Sequence, residues 1–246
     1  MDQNHRGFNI IEQEYKSTQA LPVARTFMAN VFIWMTMALA ITALTAYWFA
    51  SDENLIRSLL SPTGGLTGLG WVVTLAPFGF VLLMSMGYQR LSPVIMTLLF
   101  IAFSILMGMS LSFILLVYTA GSVFKTFAVT SAMFGIMAVL GYTTKTDLTK
   151  FGSILMMALF GIIIAMVVNM FMQSAMIDYV ISVIGVLVFT GLTAYDVQKL
   201  KRISAGVGTN VQDPNVRKMS ILGALTLYLD FINLFLFLLR FLGDRK

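Results

Sequence analysis

The chain has 246 residues, of which 58% are hydrophobic and only 11% are charged, and this composition excludes an ordinary soluble domain. It contains no cysteine and a single histidine, His5, so disulfide frameworks and cysteine or histidine metal sites are excluded and no cofactor is expected. The net charge of +5 comes from basic residues scattered through short polar segments. Because they form no contiguous patch, they indicate membrane topology and predict no nucleic-acid partner.

The chain begins with a polar N-terminal tail at 1–23, which has no apolar core and is therefore not a cleavable signal peptide. Seven apolar stretches follow, each long enough for the roughly 20 helical residues that cross a bilayer. They lie at 24–50, 68–88, 93–118, 126–144, 153–172, 178–200 and 219–241. Short polar connections separate them, so we expect a single transmembrane domain at 24–242 and a short basic C-terminal tail at 243–246.

The spans are predicted to be α-helices, because they are almost continuously apolar and lack the alternating pattern of a membrane β-barrel. The expected fold class is therefore all-α, a polytopic bundle of seven helices. Small residues recur at helical spacing and are expected to let neighbouring helices approach closely. They include Gly135, Ala138 and Gly141 in the fourth span and Gly185 and Gly191 in the sixth.

Lysine and arginine residues are concentrated in the N-terminal tail and in every second connection, which predicts a multi-pass protein with a cytoplasmic N-terminus. The C-terminal end is basic as well, with Arg240, Arg245 and Lys246. The charge pattern therefore also allows a last segment that enters the membrane and returns to the cytoplasmic side. Helical spans without a signal peptide favour a bacterial inner membrane or an organelle membrane. We expect the bacterial inner membrane, with the lipid bilayer as the first partner.

Asp230 lies about eleven residues, or ~16 Å, into the seventh span, with no lysine or arginine within four residues. An ionised carboxylate inside the bilayer costs roughly 2.5 kcal/mol or more, so it is expected to face a water-filled cavity or a partner. Asn233, at i+3, shares its helix face and is expected to point to the same place. The alternative is a protonated acid that joins two helices by a hydrogen bond.

Asp196 lies near the C-terminal end of the sixth span, and Lys199 follows it at i+3. One interpretation is an interfacial ion pair between the two. The other follows from topology, because two spans joined by a short connection pack antiparallel and can bring Asp196 to Asp230. Two adjacent carboxylates share a proton, titrate in two steps and offer the oxygen ligands that calcium prefers. The sequence thus predicts a pH sensor and a transient calcium site at this pair.

Two segments carry a resemblance to a known family: GLTAYDVQ at 191–198 and LTLYLDFINLF at 225–235. In these motifs and in its seven-span hydropathy the chain resembles the Bax inhibitor (transmembrane Bax inhibitor motif) family. The resemblance implies a seven-helix bundle with a central last helix, an aspartyl dyad formed by Asp196 and Asp230, and a pH-sensitive calcium leak across the membrane.

The resemblance also implies an arginine latch, because family members carry an arginine near the cytoplasmic end of the second helix that can bind the dyad. Arg90 is the candidate for this latch, and its alternative role is a loop charge that sets topology. Asn233, Tyr195 and Tyr228, which lie within the two motifs, are candidate supporting residues.

The leading hypothesis is a cation leak, with calcium preferred, that is gated by Asp196 and Asp230. An enzyme is not expected, because an intramembrane aspartyl protease needs access for a peptide backbone whereas Asp230 is flanked by Leu229 and Phe231. The alternative is a non-conducting interaction protein that regulates a membrane protease or another membrane partner through the polar tail and the basic segment 199–218. Docking should tolerate loss of the dyad but not of the tail, and conduction the reverse.

Overall fold

The structure, a computed structural model, describes residues 3–61, 65–206 and 213–246, and within α1 it describes side chains from residue 23 onward. The described residues form eight helices. These are α1 Gln3–Ser51, α2 Glu53–Leu59, α3 Gly68–Gly87, α4 Pro93–Val117, α5 Ala120–Thr143, α6 Thr149–Met172, α7 Ala175–Gly206 and α8 Pro214–Leu242. Seven of them are long and apolar enough to cross a membrane, and this confirms the predicted all-α bundle.

Helix α1 begins at Gln3, so residues 3–22 of the predicted polar tail continue the helix of the first span. The side chains of this part, including His5, lie outside the described residues. The apolar part of α1 begins at Val23, close to the predicted start of the first span.

Capping residues place several helix ends outside the predicted apolar stretches. Helix α5 starts at Ala120, where the hydroxyl of Thr119 accepts a hydrogen bond from the Ser122 N–H at 3.3 Å. Helix α8 starts at Pro214, behind the cap formed by Asp213. Hydropathy locates only the apolar part of a helix, whereas the helix itself extends to the residues that satisfy its first N–H groups. The predicted connection between the sixth and seventh spans, 201–218, is therefore wrong in extent, because 201–206 and 214–218 are helical.

Helix α2 is an element that hydropathy did not predict. Asp52 caps it by accepting hydrogen bonds from the N–H groups of Asn54 and Leu55 at 2.8 and 3.4 Å. The side chain of Leu59 at its end is fully buried, so this short helix packs onto the bundle next to α3.

The bundle has two opposite faces, which differ in the residues they carry. The basic face is the end at which α3, α5 and α7 finish, and it carries Arg90, Lys145 and Lys201. The C-terminal face is the opposite end, where α8 finishes and residues 243–246 bond to the junction of α4 and α5. Since α8 crosses as one continuous helix from Pro214 to Leu242, the re-entrant path left open by the charge pattern does not occur.

Helix α8 lies at the centre of the bundle, as predicted. In its most apolar 18-residue window 72% of the residues are buried, against 11% in α6. It packs against α1, α3, α4, α5 and α7, whereas α6 packs chiefly on α7. The other long helices bury one side in the bundle and expose large apolar side chains on the other, as spans that face lipid do.

The small residues serve different purposes. A Cβ at Gly141 would lie 2.8 Å from the Cα of Ala194 in α7, and one at Gly191 would lie 2.8 Å from the side chain of Leu155 in α6. At Gly135 nothing lies within 4 Å, so the predicted close contact at that position is wrong. Spacing along a helix does not say which side faces a neighbour and which faces lipid.

Candidate functional site

Helices α7 and α8 approach closely because a glycine on each meets a large side chain of the other. A Cβ at Gly185 of α7 would lie 2.6 Å from the ring of Phe237, and one at Gly223 of α8 would lie 2.8 Å from the side chain of Leu200. These contacts pair the first half of α7 with the end of α8 and the end of α7 with the first half of α8, so the two helices are antiparallel. This arrangement is what allows polar groups midway along each helix to meet.

The structure brings Asp196 and Asp230 together inside the bundle. Asp196 is 9% exposed and Asp230 is 5% exposed, and their carboxyl groups lie within hydrogen-bonding range of each other. Lys199 does not form an ion pair with Asp196 among the described residues; its ammonium is exposed and lies 6.0 Å from the ring centroid of Tyr195. The contact ion pair considered from sequence is therefore not formed, although the charge of Lys199, which lines the same cavity, still attracts the Asp196 carboxylate.

The buried Oδ2 of Asp230 receives no hydrogen bond from any donor in the described part of the chain. Asn233 does not supply one, because its amide donates instead to the Leu229 carbonyl of the same helix at 2.8 Å. A carboxyl pair in contact without an outside donor is favourable when the two groups share a proton, since two ionised carboxylates repel each other. The geometry thus makes each aspartate the main hydrogen-bonding partner of the other.

A cavity of about 250 Å³ connects Asp196 with the basic face. It lies between α3, α7 and α8, and its polar lining comes from Asp196, Lys199, Tyr88 and Thr226. A second cavity of about 300 Å³, which shares Tyr88 and Thr226 with the first, continues along α3 past Ser85. The few polar groups in these largely apolar linings give water hydrogen-bonding partners, so water can approach Asp196 from this face.

Calcium takes about six to eight oxygen ligands, and a stable protein site supplies several carboxylates. In the described residues, no three histidine, cysteine, aspartate or glutamate side chains lie together so that they could hold a metal ion. Asp196 lines the cavity, and Asp230 lies buried next to it. Such a pair can receive a partly hydrated cation for a short time, but it cannot enclose one.

Comparison with known proteins decides the family. A family model described as "Inhibitor of apoptosis-promoting Bax1" matches residues 24–246. The chain is 47% identical over 222 residues to the inner membrane protein YbhL of Escherichia coli K12, covering 90% of this chain and 93% of that one. It is 42% identical over 228 residues to an uncharacterized protein of Borreliella burgdorferi, covering 93% and 96% of the two chains. The chain belongs to the Bax inhibitor family.

The arginine that the Bax inhibitor resemblance assigned to a latch does not contact the aspartyl pair. Arg90 is exposed in the turn after α3 and forms no ion pair among the described residues. Tyr88, which lines the cavity that contains Asp196, belongs to the same turn. A latch would therefore need this turn to move toward α7.

This Bax inhibitor family protein has a buried lysine beside the site that the sequence did not predict. Lys218, in the first turns of α8, is 7% exposed; its Nζ donates to the Tyr88 carbonyl at 3.0 Å and lies 4.9 Å from the centroid of the Tyr88 ring. The ammonium thus caps the C-terminal end of α3 and fastens it to α8 beside the mouth of the cavity. Its sequence signal, a lysine shortly after Pro214, is indistinguishable from that of a loop charge.

The two motif tyrosines point away from the aspartyl pair. Tyr228 is fully buried on the opposite side of α8 from Asp230, and its hydroxyl lies 2.7 Å from Oγ1 of Thr42 in α1. The same Thr42 oxygen donates to the Ser104 carbonyl of α4 at 2.9 Å, so one polar cluster joins three helices. Tyr195 packs its ring against Gly152 of α6. Both tyrosines position the helices that carry the aspartates.

A polar network holds the basic face together next to Asp196. The buried amide of Gln198 accepts from the Leu148 N–H at 2.9 Å and donates to the Thr146 carbonyl at 2.8 Å. Arg202 bonds the carboxylate of Asp147 at 2.5 Å. Hydrogen bonds from Thr149 and from Arg202 hold the pKa of Asp147 well below its usual range. The network ties the connection between α5 and α6 to α7, one turn from Asp196.

Proposed function

We propose that this protein is a pH-sensitive cation leak, with calcium as the preferred ion, and that Asp196 and Asp230 form its gate. The observation that carries the proposal is the contact of two buried carboxyl groups, one of which, that of Asp196, lines a cavity that reaches the basic face. Membership of the Bax inhibitor family and the central position of α8 support it. A pair that faced lipid, or lay at the surface, would support no such gate.

The gate works through the shared proton. When the pair holds a proton, the two carboxyl groups bond to each other and keep α7 against α8. When the proton leaves, two unit charges about 4 Å apart repel by roughly 4 kcal/mol at an effective dielectric of 20, which favours a small separation of the helices. Water and a cation can then enter between them from the cavity, and the cation balances the charge.

The ion is the substrate of the leak and does not stay bound. Two carboxylates provide charge and as many as four oxygens, and the hydroxyls of Ser85 and Thr226 lie along the route. The remaining ligands of calcium would be water. Loose coordination of this kind allows the ion to leave again, which conduction requires. We retain Arg90 as a candidate latch that would reach the pair after movement of its turn.

The aspartates serve as a gate and not as a hydrolytic centre, because bulky Leu229 and Phe231 flank Asp230 and Phe231 is itself buried. We further propose a bacterial inner membrane location with the N-terminus in the cytoplasm. The charge of the basic face supports this orientation, and the Escherichia coli relative is named an inner membrane protein.

The test is calcium influx into liposomes that contain the purified protein and a calcium dye, measured between pH 5 and 8. Wild-type flux should rise with pH, and Asp196→Asn and Asp230→Asn should remove the pH dependence. Asp178→Asn is the matched control, because Asp178 lies on the same helix but pairs with Arg240 at 3.0 Å on the C-terminal face. It should keep the wild-type profile.

Absence of protein-dependent flux at every pH, from folded protein, would refute the proposal. It would favour the alternative, a non-conducting protein that regulates a membrane protease or another membrane partner. In that case removal of residues 1–22 should abolish the interaction, whereas Asp230→Asn should leave it intact.

A further inference from the structure

Helices α1 and α5 leave a groove between them that opens toward the lipid. Both pack against α7 and α8, but they make little contact with each other. Two cavities of about 310 and 420 Å³ lie in the gap. Both are lined by Leu39 and Ala43 of α1, by Phe127 of α5 and by Phe231 of α8, so they form one groove whose floor is the central helix.

The groove is long, apolar and continuous with the lipid-facing surface. Its lining residues on α1 run from Phe32 to Tyr47, a length of about 22 Å at 1.5 Å per residue. Tyr47 is 70% exposed, and Phe124, which lines the end near the C-terminal face, is 73% exposed. The side walls therefore merge with the surface that contacts bilayer hydrocarbon.

The volume and the apolar lining of the two cavities indicate what kind of molecule can fill the groove. Apolar cavities stay dry, and one of about 150 Å³ holds a benzene ring, so each of these two has room for a chain of roughly ten carbons or more. A transmembrane helix of 20 residues is about 30 Å long and 10 Å wide and occupies on the order of 2,000 Å³, which is far too large. Water is excluded by the lining and a helix by size, which leaves a hydrocarbon chain.

The positively charged side chain of Lys246 lies at one end of the groove. The Lys246 ammonium donates to the carbonyl of Leu115 at 2.8 Å, and Leu115 lines the cavity nearer the C-terminal face. Lys246 is exposed and forms no ion pair among the described residues, and its ammonium has donors to spare. It stands where the phosphate of a lipid would lie if its chain entered the groove from this face.

We propose that a phospholipid of the bilayer binds here, with an acyl chain in the groove between α1 and α5 and its phosphate at Lys246. The chain lies against Phe231, the neighbour of Asp230 in α8, and it fills the space on that side of the central helix. This lipid site is separate from the cavity that leads to Asp196, which opens to the basic face between α3, α7 and α8.

The test is native mass spectrometry of the purified protein titrated with phosphatidylglycerol that carries chains of 16 and 18 carbons. Ala43→Phe places a ring in the groove and should weaken retention of the first lipid at least tenfold. Lys246→Gln removes the charge from an exposed side chain without touching the core and should weaken it severalfold. The control Ala132→Phe adds the same ring at an exposed position of α5 that does not line the groove, and it should bind as wild type does.

Two further probes separate the chain from the headgroup. Glycerol phosphate alone should not compete with the bound lipid, and a phosphatidylglycerol with chains of six carbons should compete weakly. Retention of lipid by Ala43→Phe and Lys246→Gln at the wild-type level would overturn the proposal, as would an equal loss in Ala132→Phe. The measured quantity is lipid mass, so this result does not depend on whether the protein conducts calcium.

Discussion

The contact of α5 with α7 at Gly141 should be sensitive to the addition of a single methyl group. Gly141 faces the backbone of Ala194, two residues before Asp196. A Cβ at position 141 would lie 2.8 Å from the Cα and 2.9 Å from the carbonyl carbon of Ala194, and closer still to its carbonyl oxygen. These are backbone atoms of a packed helix and cannot rotate aside, so Gly141→Ala must push α5 away from α7.

The magnitude follows from a comparison with Gly135→Ala in the same helix. Both substitutions gain the helix propensity of alanine, about 0.8–1 kcal/mol. Only Gly141→Ala adds the cost of overpacking, typically about 1–3 kcal/mol, because nothing lies within 4 Å of a Cβ at Gly135. The difference between the two variants is therefore about 1–3 kcal/mol, which corresponds to roughly 2–12 °C in Tm for a chain of this size.

The assay is thermal unfolding of both variants and the wild type in one detergent, followed by the loss of the monodisperse peak in size-exclusion chromatography. Gly135→Ala should unfold at or slightly above the wild-type temperature, and Gly141→Ala below it. Equal unfolding temperatures for the two variants would refute the reasoning, because they would mean that α5 and α7 are not in contact at Ala194.

Two other substitutions test polar contacts that position the helices carrying the aspartyl pair. Tyr228→Phe removes a buried hydroxyl that bonds Thr42 and should lower stability by about 1 kcal/mol, whereas Tyr47→Phe, at a side chain that is 70% exposed, should have no effect on thermal unfolding. Asp147→Asn should lower Tm at pH 7, and the difference from wild type should shrink as pH falls below about 4. The folded pKa of Asp147 lies below its ordinary value, so its contribution is present above that value and is lost as the carboxylate becomes protonated. A difference that grew in acid would contradict this assignment.

Some features of the site could be anticipated because they are chemical anomalies in the sequence. Asp230 is conspicuous as an acid with no nearby base inside an apolar span, and burial in lipid makes such a group costly. Its neighbour Asn233 shares a helix face with it, but the structure turns the Asn233 amide to the Leu229 carbonyl. An amide side chain can bond a carbonyl of its own helix when no better partner lies within reach. The sequence does not show which of these partners the side chain will have.

Other features have no signal in the sequence. Lys218 resembles a loop lysine, yet it is buried against Tyr88, which is 130 residues earlier in the chain. Thr42 resembles any other threonine of an apolar helix, yet it bonds Tyr228 and Ser104 at once. Each is defined by a contact with a distant helix, and single-sequence periodicity carries no information about which distant helix that is.

The sequence by itself determined the number of spans, the helical class and the identity of the two aspartates. It could do so because a chain in lipid must satisfy every backbone group within its own helices and pays heavily for a lone charge, and both rules act residue by residue. The sequence left Asp196 two candidate partners, Lys199 and Asp230, and the tertiary structure decided for Asp230. It also decided that Gly141 is packed while Gly135 faces open space, and that α1 and α5 leave a groove. Those outcomes depend on how helices rotate and cross, which close packing settles collectively and no single segment encodes.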